Sequence, residues 1–282
     1  MISVSHLKKT YRVGKIEVDA VKDVSFDVGK GEFVNIHGPS GSGKSTILHL
    51  LGLLDDPTKG TITLNGKNVS SLPESEKSKI RLMKMGFVFQ EYNILPELTA
   101  LENTVLPALM TDASHDLIYR KAEKILRYLG LGHRLHHLPS ELSGGEKQRV
   151  SIARSLINDP EIIFADEPTA NLDSVTSEIT INLFKKMNEE LQLTILLVSH
   201  NPKYLVYANK IVFVEDGLVK NIQINRKTDK SDRFSLLRSF IRNSLKKGYS
   251  INAITSILVK AGWKKSIIEA ELSTGVSKTP VG

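Results

Sequence analysis

The stretch Gly38-Pro39-Ser40-Gly41-Ser42-Gly43-Lys44-Ser45 decides how the rest of this chain is read. It follows an apolar, strand-like run, Phe33 to His37, and opens a helical pattern, Ser45 to Leu54. A strand, a glycine-rich turn and a helix in that order build a cradle for phosphate. The glycines let backbone N–H groups turn inward, and the helix start adds partial positive charge. In the pattern G-x-x-x-x-G-K-[ST], the lysine reaches the terminal phosphates and the next hydroxyl ligates Mg²⁺. Here these are Lys44 and Ser45, with Thr46 following. A plain Gly/Ser-rich turn would need neither flank.

Working outward, Val24 to Val28, Phe87 to Phe89, Glu161 to Asp166, Thr194 to Ser199 and Lys210 to Glu215 also read as strands. Ser143 to Asn158 and Ser174 to Leu191 read as helices. Continuous apolar runs such as Ile162-Ile163-Phe164-Ala165 suit strands buried on both faces of a parallel sheet. The alternation of strand and helix means an α/β fold. Pro57 to Gly60 and Asn65-Gly66 are turn signals enclosing an antiparallel strand at Thr61 to Leu64.

Two further stretches carry chemistry. The run from Ile162 ends in Asp166-Glu167. Beside a phosphate cradle, Asp166 at a strand tip would hold Mg²⁺ through water and Glu167 would polarise an attacking water. Taken alone, an apolar strand ending in two acids is an ordinary strand exit. Leu142-Ser143-Gly144-Gly145-Glu146-Lys147-Gln148 is a second glycine-rich helix start suited to an anion. A chain with one nucleotide has no use for two such starts.

That second start resembles the signature motif of the ABC (ATP-binding cassette) ATPases. The resemblance covers residues 1 to about 225. It implies a P-loop NTPase fold of the ABC type: a mixed sheet core, an antiparallel β subdomain and a helical subdomain. It implies ATP and Mg²⁺ as ligands, and two subunits packed head to tail. Ser143, Gly144, Gly145 and Gln148 of one subunit then face the nucleotide held by Lys44 of the other. Gln90 matches the Q-loop glutamine that touches metal and water, Asp173 in Ala170-Asn171-Leu172-Asp173 the D-loop aspartate, and His200 the switch histidine. Tyr11, 27 residues before Gly38, is placed like the aromatic that stacks on adenine. The implied catalytic set is Glu167, His200, Lys44 and Gln90; the metal set is Ser45, Gln90 and Asp166. Many members have Ser-Ala-Leu-Asp at the D-loop, and this chain departs from that.

The stretches Gly52 to Gly60 and Leu95 to Asn103 are similar to the lipoprotein-release, macrolide-export and cell-division ATPases (MacB/LolD/FtsE type). This implies a separate membrane permease as partner, with a large extracytoplasmic domain. Tyr92, Leu95 and Leu98 would line the groove that receives it. The competing class is a soluble ABC ATPase without a transport role, of which the iron–sulfur assembly type is compatible with a single uninterrupted cassette.

Composition fits this reading. The 282 residues contain no cysteine, which excludes disulfides, thiolate metal sites and a cysteine nucleophile. No apolar run approaches the roughly 18 residues of a membrane span, and the N-terminus has no signal-peptide pattern. A protein held at the cytoplasmic face of the membrane by its partner is the expectation. The net charge of +7 is uneven. Residues 226–282 carry 12 Lys and Arg against 4 Asp and Glu, a net of +8, which leaves −1 for residues 1–225. The basic pI therefore says nothing about nucleic-acid binding by the main body, and no nucleic-acid partner is expected. The chain divides into a cassette at 1–225, a linker at 226–232 and a small α-helical extension at 233–282. In the extension, Leu237, Phe240, Ile241 and Leu245 share a helical face that stops at Gly248. Ser250 caps a second helix with Ile251, Ile254 and Leu258 on one face, ending at Gly262. Ser266 and Glu269 have capping-box spacing for a third.

Overall fold

The structure, a computed structural model, describes residues 1–225 and, beyond them, Ile241, Ile251, Ile254, Thr255, Leu258 and residues 265–276. The chain divides into two compact units, Met1–Asn225 and Arg226–Gly282.

In the first unit the described strands form one sheet. They are β1 (Ile2–Val13), β2 (Ile16–Val28), β3 (Phe33–His37), β4 (Lys59–Leu64), β5 (Lys67–Asn68), β6 (Met85–Val88), β7 (Ile162–Asp166), β8 (Thr194–Ser199), β9 (Lys210–Glu215) and β10 (Leu218–Ile224). Their order is β5-β4-β1-β2-β10-β9-β3-β8-β7-β6. The half from β5 to β2 is antiparallel, and the half from β9 through β3, β8 and β7 to β6 is parallel. β10 runs antiparallel to β9 and meets β2 at Leu218–Asp23.

The helices are α1 (Lys44–Leu51), α2 (Glu74–Lys84), α3 (Ala100–Val105), α4 (His115–Tyr128), α5 (Gly144–Leu156) and α6 (Ser174–Leu191). Successive side chains of a strand point to opposite faces, so the apolar runs fill two cores. Ile162, Phe164, Leu196 and Val198 pack in one cluster with Ile47, Leu48 and Leu51 of α1. Ile163, Ala165, Ile195 and Leu197 pack in the other with residues of α5 and α6. A smaller cluster of Val105, Ala108, Ile118, Ala122 and Ile157 ties α3 and α4 to the end of α5.

Several boundaries differ from the sequence reading. The strand expected at Phe87 to Phe89 is Met85–Val88, because it pairs in register with Ile162 to Ala165. α1 stops at Leu51 rather than Leu54: Gly52 caps it, and Leu53 turns left-handed at φ 56°. α5 runs Gly144–Leu156 with Ser143 as its N-cap rather than its first residue. The strand at Thr61 to Leu64 pairs antiparallel with β1.

In the second unit, α7 (Lys265–Val276) contributes Ile268 and Leu272 to a cluster with Ile241, Ile254 and Leu258. Ser266 lies inside α7 rather than before it, and Glu269 pairs with Lys265 one turn back at 3.8 Å. Ile251 is 47 % exposed, so it stands at the wet edge of the stripe that Ile254 and Leu258 define. The expected linker 226–232, the face residues Leu237, Phe240 and Leu245, and Gly248, Ser250 and Gly262 lie outside the described residues.

Candidate nucleotide-binding and catalytic site

Parallel pairing brings three strand ends together. His37 of β3 aligns with Ser199 of β8, and Val198 of β8 with Asp166 of β7. Gly38, Glu167 and His200 each follow directly, so the glycine-rich loop, the two acids and the histidine share the carboxyl edge of the sheet. That edge is where open α/β sheets bind ligands. A cleft of about 650 Å³ opens there beside Gly38, Pro39, Ser40 and His200.

The loop holds its shape through glycine. Gly43 precedes α1 with φ 97°, and a Cβ on it would lie 2.3 Å from the carbonyl oxygen of Ala20. Lys44 is only 6 % exposed, and its Nζ donates to the carbonyl oxygen of Pro39 at 2.7 Å. Among the described residues no carboxylate lies within ion-pair distance of it. A nearly buried ammonium at a helix start, with a neutral acceptor in place of an anion, fits a phosphate.

At the tip of β7, Asp166 has two neighbours on α1. Ser45 Oγ donates to Oδ1 at 2.8 Å, and His49 Nε2 lies 3.3 Å from Oδ2. Ser45 and Asp166 thus place hard oxygen donors side by side next to Lys44, the donor set Mg²⁺ takes alongside substrate phosphates. Among the described residues no group of three His, Asp or Glu forms a metal cage. Glu167 takes a left-handed φ of 45° and donates its N–H to Val198 O at 3.1 Å. Its carboxylate is 3.0 and 3.1 Å from His200 Nδ1. The carboxylate is largely covered and the imidazole largely exposed. Two consecutive residues therefore face different partners, Asp166 toward Ser45 and His49 of α1 and Glu167 toward His200.

Tyr11 lies beside the start of α1. Its hydroxyl donates to Asp55 Oδ2 at 2.8 Å and also meets the Thr46 side chain. Lys9 Nζ stands 4.9 Å from the ring centroid and bonds Asp55 Oδ1 at 2.6 Å. Burial and then the Asp55 carboxylate push the phenol above its ordinary pKa, so it stays a neutral donor.

Gln90 is exposed two residues beyond β6, and its carbonyl accepts Asn171 Nδ2 at 3.1 Å. Tyr92 and Asn93 both take positive φ, 60° and 50°. Arg154 of α5 donates to the carbonyls of both. Leu95 is exposed, while Tyr92 and Leu98 are half-buried. Asn103 ties the loop down, accepting Leu95 N–H at 2.7 Å and donating to Leu95, Leu98 and Thr99 carbonyls.

Ser143 is exposed and Gly145 buried at the start of α5. A Cβ on Gly145 would meet Thr176 Cγ2 at 2.4 Å, so glycine lets α5 approach α6. Asp173 caps α6, accepting the N–H groups of Val175 (2.9 Å) and Thr176 (3.0 Å). The Thr176 hydroxyl and N–H lower its pKa. One expected contact needs correction. Gln148 is fully buried, with neither side-chain polar atom partnered. It belongs to the inner face of α5, five residues past the cap, and does not reach the surface where a second nucleotide would sit.

The Lys44 loop, the Asp166–Glu167 tip and the Ser143 helix start all lie between residues 21 and 170. A family model described as ABC transporter matches residues 21–170. The chain belongs to the ABC transporter ATP-binding family. A Thermotoga maritima protein named an uncharacterised ABC transporter ATP-binding protein is 48 % identical over 215 residues, 76 % of this chain and 92 % of that one. The lipoprotein-releasing system ATP-binding protein LolD of Shewanella denitrificans is 39 % identical over 226 residues, 80 % of this chain and 97 % of that one. The macrolide export ATP-binding/permease protein MacB of Bdellovibrio bacteriovorus is 42 % identical over 221 residues, 78 % of this chain; that match spans only 34 % of MacB. A solved dimeric structure of the ATP-binding cassette MJ0796, in a post-hydrolysis state bound to ADP and phosphate, superposes with a TM-score of 0.75. It is 41 % identical and covers 80 % of this chain and 99 % of that one. The cassette is an ATP-binding, ATP-hydrolysing subunit of the MacB/LolD type.

Sequence reasoning did not single out His49, Arg134 or Arg154. His49 lies four residues after Ser45, the spacing that puts both on one helix face. Arg134 and Arg154 act across long separations that no local pattern announces.

Proposed function

We propose that two copies of the cassette close head to tail on two ATP molecules and that this cycle drives a separate membrane permease. The observation that carries the reading is Lys44, nearly buried and, among the described residues, without a carboxylate partner, beside a Ser45–Asp166 pair and a Glu167–His200 pair on one sheet edge.

Tyr11 stacks on the adenine, its orientation held by Asp55. Backbone N–H groups from Gly38 to Thr46 and the Lys44 ammonium cradle the phosphates. Ser45 and Asp166, with Gln90 beyond them, would hold Mg²⁺, which would supply positive charge to offset that of the phosphates. Glu167 accepts a proton from the attacking water, and His200 keeps that carboxylate aimed. Ser143, Gly144 and Gly145 of the second copy close the pocket over the γ-phosphate. The dimeric MJ0796 cassette supports such pairing. Binding drives closure, and hydrolysis releases it.

The match to LolD and to the cassette third of MacB supports a permease partner. Among the described residues no helix is long and apolar enough to cross a membrane. The cassette then sits peripherally at the cytoplasmic face, with Tyr92, Leu95 and Leu98 in the receiving groove and a large extracytoplasmic domain on the permease. Residues 226–282 carry a net charge of +8 and make up a compact unit of their own, in which Lys265–Val276 is helical.

Glu167→Gln separates binding from hydrolysis. Phosphate release should fall by about 10²–10⁴, the range of a lost general base, while a fluorescent ATP analogue still binds. A variant that hydrolyses ATP at the parent rate would remove Glu167 from the mechanism.

A further inference from the structure

Glu146, at the third position of α5, is shared between two partners. Its Oε2 accepts both the N–H (2.9 Å) and the hydroxyl (2.8 Å) of Ser143. Its Oε1 accepts Arg134 Nε at 3.0 Å. The Ser143 N–H first, then its hydroxyl and Arg134, hold this carboxyl down at about 2. At neutral pH Glu146 is therefore an anion that only accepts. The single hydrogen of the Ser143 hydroxyl points inward to it, and the same oxygen accepts Glu146 N–H at 3.3 Å.

This arrangement sets a carboxylate one hydrogen bond behind the residue that meets the partner's γ-phosphate. A helix start attracts anions, but a bare negative charge in its first turn opposes a second one arriving. Arg134, from the segment between α4 and α5, supplies the offset. Among the described residues it is the cation in ion-pair contact with Glu146. Arg149, one turn along α5, feels the same carboxylate without such a contact. The Glu146 side chain is 13 % exposed and Arg134 33 %, so solvent screens their interaction only in part.

We propose that Arg134 is a positioning residue for ATP-driven pairing: by holding and neutralising Glu146, it keeps the Ser143 start of α5 receptive to the γ-phosphate bound by the other copy. The inference rests on the head-to-tail pairing proposed above. The plainer role, an ion pair steadying a capping box, predicts almost no effect on pairing when Arg134 is lost.

The test uses the full chain carrying Glu167→Gln, with the ATP concentration at half-maximal dimer read by light scattering. Adding Arg134→Met should raise that concentration at least about tenfold. Adding Glu146→Gln to the Arg134→Met chain removes the charge yet keeps a residue that serves the capping box, and should restore pairing to within about threefold of the parent. Such rescue is something a merely misfolded Arg134→Met protein would not show. Pairing by Arg134→Met at the parent's ATP concentration, or failure of Glu146→Gln to restore it, overturns the inference. A parent that stays monomeric at saturating ATP defeats the head-to-tail reading itself, and the inference falls with it.

Discussion

Replacing Gly43 by alanine should damage the cassette more than the same change at Gly41, for reasons that can be separated. Both glycines hold left-handed backbone, φ 97° and 77°. An L-residue there costs about 1–2 kcal/mol. At Gly41 nothing lies within 4 Å of an added Cβ, so the cost ends there. At Gly43 the Cβ would lie 2.3 Å from the carbonyl oxygen of Ala20, which is backbone of β2 and cannot swing aside. Forcing strand and loop apart adds about 1–3 kcal/mol, the usual scale of overpacking. Gly43→Ala should therefore cost about 2–5 kcal/mol against a total near 5–15 kcal/mol for a domain. Urea unfolding of the nucleotide-free variants measures this directly. ATP affinity should fall in parallel, since the strain moves the N–H groups ahead of Lys44 off the phosphates. Equal losses at the two positions, or a neutral Gly43→Ala, would refute the reasoning.

Three other outcomes follow from the same geometry. Glu146 titrates well below its ordinary 4.5, so its contribution is complete above about pH 4.5 and is lost as pH falls toward 2. The stability advantage of the parent over Glu146→Gln should shrink across that window; a gap independent of pH would contradict the assignment. Asp173→Ala removes the acceptor of two N–H groups at the start of α6 and should lower the midpoint of chemical denaturation, whereas Asp173→Asn should recover most of the loss. Leu95→Asp with Leu98→Asp should abolish co-purification with the membrane partner while leaving ATP hydrolysis by the isolated cassette in place; unchanged co-purification would remove that loop from the interface.

The sequence made the parallel half of the sheet legible because its strands are continuous apolar runs between turn signals. Phe33 to His37, Ile162 to Asp166 and Thr194 to Ser199 have that character, and the site residues follow them directly. β1 was harder to see. His6 takes a positive φ of 50°, and the register shifts on either side of Leu7, so the period-two pattern of Ile2 and Val4 breaks before the basic second half. α2 is polar nearly all round and buries only Lys77, which leaves no apolar stripe to read. α4 did carry a signal, since Ile118, Ala122 and Leu126 recur at four-residue spacing. Motif spacing located the phosphate loop, the acids, His200 and the Ser143 start. It carried no information on the burial of Gln148, the grip of Arg154 on Tyr92 and Asn93, or the Arg134–Glu146 contact. Those depend on how distant segments meet.

The central claim is that ATP itself joins two copies of the chain. Sedimentation of the Glu167→Gln protein, with and without saturating ATP and Mg²⁺, tests it most directly. The account predicts a shift from the 31.3 kDa chain to twice that mass on adding ATP, and loss of the shift when Lys44→Ala is combined with it. A Glu167→Gln protein that binds ATP and still sediments as a single chain would contradict it.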